Sequence, residues 1–170
     1  MNPDHEALLA LFDREMREHA RPDGPGVRIE RTGEVVRQVG ADDMELMARA
    51  HERAFGSDWS RLRHQVLARL AEDPDGFVGV LAMVGEEPVS SARMELYPGT
   101  GFAGLWGGGT VEAWRGKGIY RALVAFRARI AAERGCRYLQ VDASEMSSPI
   151  LRRLGFAALS TTTPYVYRSH

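Results

Sequence analysis

Residues 111–123, VEAWRGKGIYRAL, put Gly116 and Gly118 on either side of Lys117, between Arg115 and Arg121, where a strongly helical run begins. These residue types suit the holding of an anion. The first turn of a helix leaves N–H groups without intrahelical acceptors, and the helix dipole places about half a positive charge there. Glycines lack Cβ and let a phosphate approach the backbone closely. Two common phosphate patterns do not fit. The P-loop pattern G-x-x-x-x-G-K-S/T fails because Val111 stands at its first glycine and Gly118 follows Lys117. The dinucleotide pattern G-x-G-x-x-G fails at Arg121 and falls late in the chain, after strand-like segments. Spacing alone leaves open a plain alternative, a solvated basic helix start with a glycine-containing turn.

The elements that must position this stretch can be read from periodicity and turn chemistry. Asn2-Pro3 and the spacing of Leu8, Leu11, Phe12 and Met16 predict an amphipathic helix over 3–20, broken by RPDGPG at 21–26. Two short strands are expected around Thr32-Gly33. Asp42 and Asp43 predict a helix over 43–54, and a start at Ser57, Asp58 or Ser60 predicts another to about Glu72. From Asp73 the texture changes. FVGVLAMV, VSSARMELYP and FAGLWGGGTVE, separated by turn sequences, predict an antiparallel meander over 77–112. Ile119, Ala122, Leu123, Phe126 and Ile130 form one apolar stripe of a helix over 118–134, stopped by Gly135. A strand over 137–143, a short helix over 149–154 and final strands within 156–168 complete the order. This is an α+β or mixed α/β sheet with helices on both faces.

Composition narrows the function classes. The chain has 170 residues, 44% hydrophobic and 26% charged, with a net charge of −1, which suits one globular domain and argues against a broad nucleic-acid or anionic-membrane surface. The longest apolar run, 77–85, is far short of a membrane span. The opening MNPDHEALLALFDREM carries Asp4 and Glu6 where a secretory leader would be basic. With a single cysteine, Cys136, a reducing, cytoplasmic compartment is expected. No metal site is expected.

RGKGIY at 115–120 resembles the acetyl-CoA pyrophosphate loop of the GNAT N-acetyltransferase superfamily, Q/R-x-x-G-x-G/A. Arg115 and Gly118 match, while Tyr120 stands where the pattern has glycine or alanine. The order of meander, loop and helix, YLQVDA, short helix and LRRLGF is also similar, so the resemblance covers about 34–168. It implies a GNAT-like, mostly antiparallel mixed sheet flanked by helices, splayed at the cofactor cleft between strands 104–112 and 137–143. The domain would span 27–170, with 1–26 a helix and linker packed on it.

The resemblance further implies that acetyl-CoA is the cofactor, bound by the amides of Arg115, Gly116, Lys117, Gly118, Ile119 and Tyr120. Thr110 and Val111 would lie beside the pantetheine, where a main-chain N–H polarises the acetyl carbonyl. The family's cofactor-contacting asparagine falls on Ser144, with Ser147 nearby. Its frequent general acid, a tyrosine, falls on Leu151, which leaves Tyr120, Ser144, Ser147 or water to protonate the leaving thiolate. A lysine-like amine has only about four neutral molecules in ten thousand at pH 7, so a base is needed. By register the strand position used in some relatives is Gly104 or Trp106, neither of which accepts a proton. Glu95 and Glu112 are the remaining candidates, with His51 on a helix face read as packing or surface. Trp59, Trp106, Tyr97, Tyr165 and Tyr167 are candidates for an aromatic acceptor groove, with Trp106 its wall. The implied partner is a small-molecule or peptide amine acetylated by direct attack, and the 3–20 helix leaves a homodimer open. A catalytically silent CoA-binding module and a plain nucleotide-binding domain are the alternatives.

Overall fold

The computed structural model describes residues 20–23, 26–29, 34–163 and 165; of 20–35 and of residue 61 it describes the backbone alone. The predicted helix over 3–20 therefore lies outside the described residues except at its last position. Ala20 opens a strand.

Seven strands form one sheet in chain order: β1 Ala20–Asp23, β2 Gly26–Ile29, β3 Glu34–Val39, β4 Phe77–Val84, β5 Glu87–Leu96, β6 Phe102–Thr110 and β7 Tyr138–Gln140. Neighbours pair antiparallel except β6 and β7, which are parallel. Among the described residues four helices flank the sheet: α1 Met44–Phe55, α2 Ser60–Glu72, α3 Ile119–Glu133 and α4 Ser148–Arg153.

Of the stretch read as a helix breaker at 21–26, residues 21–23 and 26 belong to the sheet, with Arg21 opposite Arg28 and Pro22 opposite Val27. Proline is tolerated there because, among the described residues, β1 is the edge strand and pairs with β2 alone. The meander and the two helices before it match expectation. A 3-10 turn, Ala41–Asp43, leads into α1, and Arg37 clamps it by gripping Asp43 with two hydrogen bonds of 2.6 and 2.8 Å. Gly56 ends α1 in a left-handed conformation.

β4 is buried on both faces, which is why its sequence reads as a continuous apolar run. Alternate residues divide between two cores. Val78, Val80, Ala82, Ala92, Met94, Ala103 and Leu105 pack under α3 with Leu123, Phe126 and Ile130. Phe77, Leu81 and Val39 pack under α1 and α2 with Met44, Met47, Trp59 and Val66.

Near the C-terminus one expectation fails, and a second, final strands within 156–168, is unmet over the described part of that range, with 164 and 166–168 outside the described residues. The strand over 137–143 is only Tyr138–Gln140, because β7 leaves its partner β6 after that point. No strand forms over 156–163. Almost every residue from 157 to 163 is exposed, with Leu159 at 93%, and a β-branched run such as Thr161–Thr163 needs a half-buried pleated surface to settle on.

Candidate active site

After β6 the chain makes a 3-10 turn, Glu112–Trp114, before α3. Trp114 donates to the Val111 carbonyl (2.9 Å) and Arg115 to the Glu112 carbonyl (3.1 Å). Gly116 and Gly118 then take φ values of +76° and +89°, a region where a side chain is strained, and a Cβ on either would meet nothing within 4 Å. Among the described residues, no acceptor in the protein takes a backbone N–H from Gly116, Lys117, Gly118, Ile119 or Tyr120. Gly118 is an uncapped helix start, and the helix's own bonds begin with Ala122 N–H to the Gly118 carbonyl at 3.0 Å. Five successive amides are therefore free beside the dipole end of a 15-residue helix.

Other predicted loop residues are already engaged. Arg115 donates from Nε to the Thr110 carbonyl (3.1 Å) and from Nη2 to the Ala54 carbonyl (3.2 Å), so its guanidinium ties the end of α1 to the end of β6. Lys117 Nζ lies 4.1 Å from the Trp114 ring centroid. Val111 gives its N–H to the Val89 carbonyl at 2.9 Å, and the Thr110 hydroxyl is 2.9 Å from Ser90 Oγ.

β7 accompanies β6 only from Phe102↔Tyr138 to Gly104↔Gln140, whereas β6 continues to Thr110, so a cleft opens beyond Gly104. On the other edge the β5–β6 register passes from Ser91↔Gly109 to Arg93↔Trp106. Gly107 and Gly108 bulge out between these pairs, two residues against Ala92 of β5, with Gly107 at φ +56°.

Side chains from both faces close on this bulge. On the α3 side, a Cβ on Gly108 would lie 2.9 Å from the Tyr120 ring and 3.6 Å from Arg127 Nη2. Burial pushes the Tyr120 phenol above its ordinary pKa, while Arg127 and the Ser147 hydroxyl pull weakly the other way, so the phenol keeps its proton at neutral pH. The Ser144 and Ser147 hydroxyls are 3.2 Å apart at the start of α4. Leu151, at the family's tyrosine position, is buried in the core against which Tyr120 packs. Arg127 is 1% exposed and donates to the Leu123 and Arg93 carbonyls at 3.0 and 2.8 Å. Burial without a carboxylate partner lowers its pKa to about 10.

On the α1 side, a Cβ on Gly107 would lie 3.0 Å from Arg93 Nη1 and 3.8 Å from His51 Cε1. Burial, aided by the Arg93 charge, lowers the His51 pKa and keeps the ring neutral. Glu95 lies on the same face, its Oε1 3.6 Å from Arg93 Nε. Trp106 Nε1 is 3.4 Å from the Tyr97 hydroxyl, and both crowd Gly104. The structure thus gathers Glu95, Trp106 and Tyr97 on one face and Tyr120, Ser144 and Ser147 on the other. Glu112 is exposed in the turn beyond β6, apart from both groups. Trp59 is a core residue, 1% exposed, and Tyr165 is 93% exposed. Tyr167 lies outside the described residues. Cys136 Sγ is 3.9 Å from the Phe102 carbonyl, and burial raises its thiol pKa.

Sequence reading passed over Arg93 and Arg127 and set His51 aside. The Arg127 signal was present, since a charge four residues after Leu123 interrupts the buried stripe of α3. Arg93 carried none beyond a charge in an otherwise apolar strand. Among the described residues no group of three or more His, Cys, Asp or Glu converges on a metal-sized site.

The profile of the acetyltransferase (GNAT) family matches residues 44–156. No curated protein matches the sequence. Solved structures share the fold at low identity. An acetyltransferase of Trypanosoma brucei aligns at a TM-score of 0.66 and 20% identity, over 79% of this chain and 99% of its own. AAC(6′)-Iy in complex with the bisubstrate analog CoA-S-monomethyl-acetylneamine gives 0.66 and 18%, over 80% and 99%. A predicted acetyltransferase with acetyl-CoA from Clostridium acetobutylicum gives 0.65 and 17%, over 78% and 96%.

Proposed function

The chain belongs to the acetyltransferase (GNAT) family, and from that premise we propose that it transfers the acetyl group of acetyl-CoA directly to an amine, with both substrates bound together. It is an acyltransferase by family and fold. The observation that carries the cofactor assignment is the run of five unengaged amides from Gly116 to Tyr120, whose last residue lies against Gly108 of β6, past the point where β7 stops. That cradle fits a diphosphate: Gly116 and Gly118 take glycine conformations, and among the described residues no side chain caps it.

Acetyl-CoA would supply a thioester-activated acetyl group and a thiol leaving group. Gly116 to Tyr120 would hold its diphosphate, with the Ser144 and Ser147 hydroxyls grouped beside Tyr120. The backbone amides of the Gly107–Gly108 bulge, rather than that of Val111, polarise the acyl oxygen as fixed dipoles. Tyr120 holds a proton at Oη for the departing sulfur. A thiol leaves with a pKa of about 8.5, so this help is modest. Glu95 receives the proton of the amine, and Trp106 walls the acceptor. The N–C bond forms as the C–S bond breaks, with the amine's proton going to Glu95 and the Tyr120 proton to sulfur. Because burial raises the pKa of Cys136, its thiol is a poor covalent carrier, which favours direct transfer.

Calorimetric titration with CoA, paired with thiol-release assays across an amine panel, tests the reading. Saturable CoA binding and amine-dependent thiol release are expected. Failure to bind CoA would overturn it.

A further inference from the structure

Arg93 is a cation that its surroundings neutralise on one side only. Its side chain is 18% exposed, and its ion pair joins Nε to Glu95 at 3.6 Å, longer than a good hydrogen bond. No second carboxylate reaches it among the described residues. The Glu95 contact uses the Nε edge of the guanidinium and leaves the two terminal nitrogens. One of these, Nη1, is aimed at the bulge, 3.0 Å from where a Cβ on Gly107 would stand. A half-buried guanidinium whose terminal donors still face the opening suits a planar bidentate acceptor.

The neighbours define what that acceptor can be. His51 faces the same point from α1 and is neutral, so it adds no competing charge. Glu95 supplies one negative charge beside the cation. Trp106 and Tyr97 form a half-buried aromatic wall over Gly104. The pocket therefore offers one cation and one anion side by side, next to the bulge amides that the acetyl-transfer reading assigns to the acyl oxygen.

We infer that the acceptor amine carries its own carboxylate, gripped by the terminal nitrogens of Arg93 while Glu95 faces the amino group: the acceptor is of amino-acid type. This rests on the acetyl-transfer reading and narrows it. A polyamine would bring a second ammonium against Arg93. A phosphomonoester would bring nearly two negative charges against Glu95. A zwitterion places each charge opposite its complement.

The test measures acetyl transfer to the common amino acids, to their carboxamides, to spermidine and to phosphoethanolamine, at saturating acetyl-CoA. The carboxylate form of the best acceptor should exceed its carboxamide by roughly 10- to 100-fold in kcat/KM, the difference made by charge-assisted hydrogen bonds. Arg93→Met should remove that preference mainly through KM, and Arg93→Lys should restore part of it. Titration of the preferred amino acid onto the CoA-saturated protein gives a readout independent of turnover, and Arg93→Met should abolish that heat. Unchanged CoA affinity and melting temperature in the variant would establish that fold and cofactor loop are intact; if either falls, the wild-type preference for carboxylate over carboxamide decides. Equal use of carboxamides, or preference for spermidine or phosphoethanolamine, would overturn the inference while leaving acetyl transfer standing. CoA binding with no transfer to any amine would overturn the acetyl-transfer reading and this one with it.

Discussion

Gly118 offers the sharpest test of the cofactor cradle, because the structure separates its steric and conformational roles. A Cβ there meets nothing within 4 Å, so Gly118→Ala causes no clash. The residue sits at φ +89°, ψ −2°, where a side chain costs about 1–2 kcal/mol. For a chain of this size that amounts to about 2–8 °C in melting temperature. The loop can escape the strain by rotating to negative φ, which turns the neighbouring amides out of convergence. Losing two charge-assisted hydrogen bonds to a diphosphate, at about 1.5 kcal/mol or more each, weakens CoA roughly 100-fold. Gly118→Glu adds a negative charge in the path of the ligand and should bind more weakly still. Gly85, in the β4–β5 turn at φ +55°, has the same conformational demand and the same open space. Gly85→Ala should therefore lose comparable stability and no CoA affinity. Calorimetric titration with CoA, beside scanning calorimetry of all three variants, reads both quantities. If Gly118→Glu binds CoA within about twofold of the parent, the diphosphate rests elsewhere and the reasoning fails.

Tyr120→Phe should lower kcat by about 10- to 100-fold, the low end for a general acid because the leaving thiol is acidic; an unchanged kcat in a steady-state thiol-release assay would remove Tyr120 from the mechanism. Its phenol pKa is raised above the ordinary value of 10, so the activity it supports should persist through the neutral range and decline only at higher pH. Arg115→Ala should change CoA affinity by less than about threefold while costing about 1–2 kcal/mol of stability in denaturant melts, since its donors serve two backbone carbonyls. His51 is pushed below 6.5 in the folded state, so the unfolded chain binds the extra proton first and stability falls as pH drops through and below 6.5. His51→Gln should flatten that part of the curve in melts run between pH 8 and 5.

Much of the framework was legible because it depends on local signals. The apolar run of β4, the turn glycines between meander strands and the stripe of α3 each announce one element, and the structure has them within a residue or two. The start of α3 was also legible, since Gly116 and Gly118 carry their conformational meaning wherever they stand. What escaped depends on pairing between distant segments. Nothing local in FAGLWGGGT says that Gly107 and Gly108 stand opposite one residue of β5, nor that β7 stops after Gln140. Without that register, Val111 looked like the natural source of a free amide, although Val89 occupies it. Arg115 looked like a phosphate ligand for a similar reason, because its partner Ala54 lies far back in the chain. The stretch after Phe156 misled in the opposite direction, its threonines favouring a strand for which the described residues offer no buried face.

Tyr120 and Leu151 make most sense as a linked pair. The loop pattern calls for a small residue at 120, and a tyrosine there would ordinarily press into the strand in front of it. Here that strand presents Gly108, and even a single added Cβ would come within 2.9 Å of the ring. The missing side chain on β6 makes room for the phenol. Leu151, meanwhile, fills apolar volume at 2% exposure in the same core that Tyr120 packs against. The polar group has in effect moved from the short helix to the first turn of the long one, while the core keeps its hydrocarbon. The phenol still lies beside the bulge and the Ser147 hydroxyl, with the buried Arg127 guanidinium behind it. A cation without a carboxylate partner is costly to bury, and its presence beneath a phenol at the cleft is easier to account for by chemistry than by packing. Under the proposed mechanism the absence of tyrosine at 151 is no sign of lost activity, since the proton donor would be Tyr120 on a different helix, against Gly108 of β6.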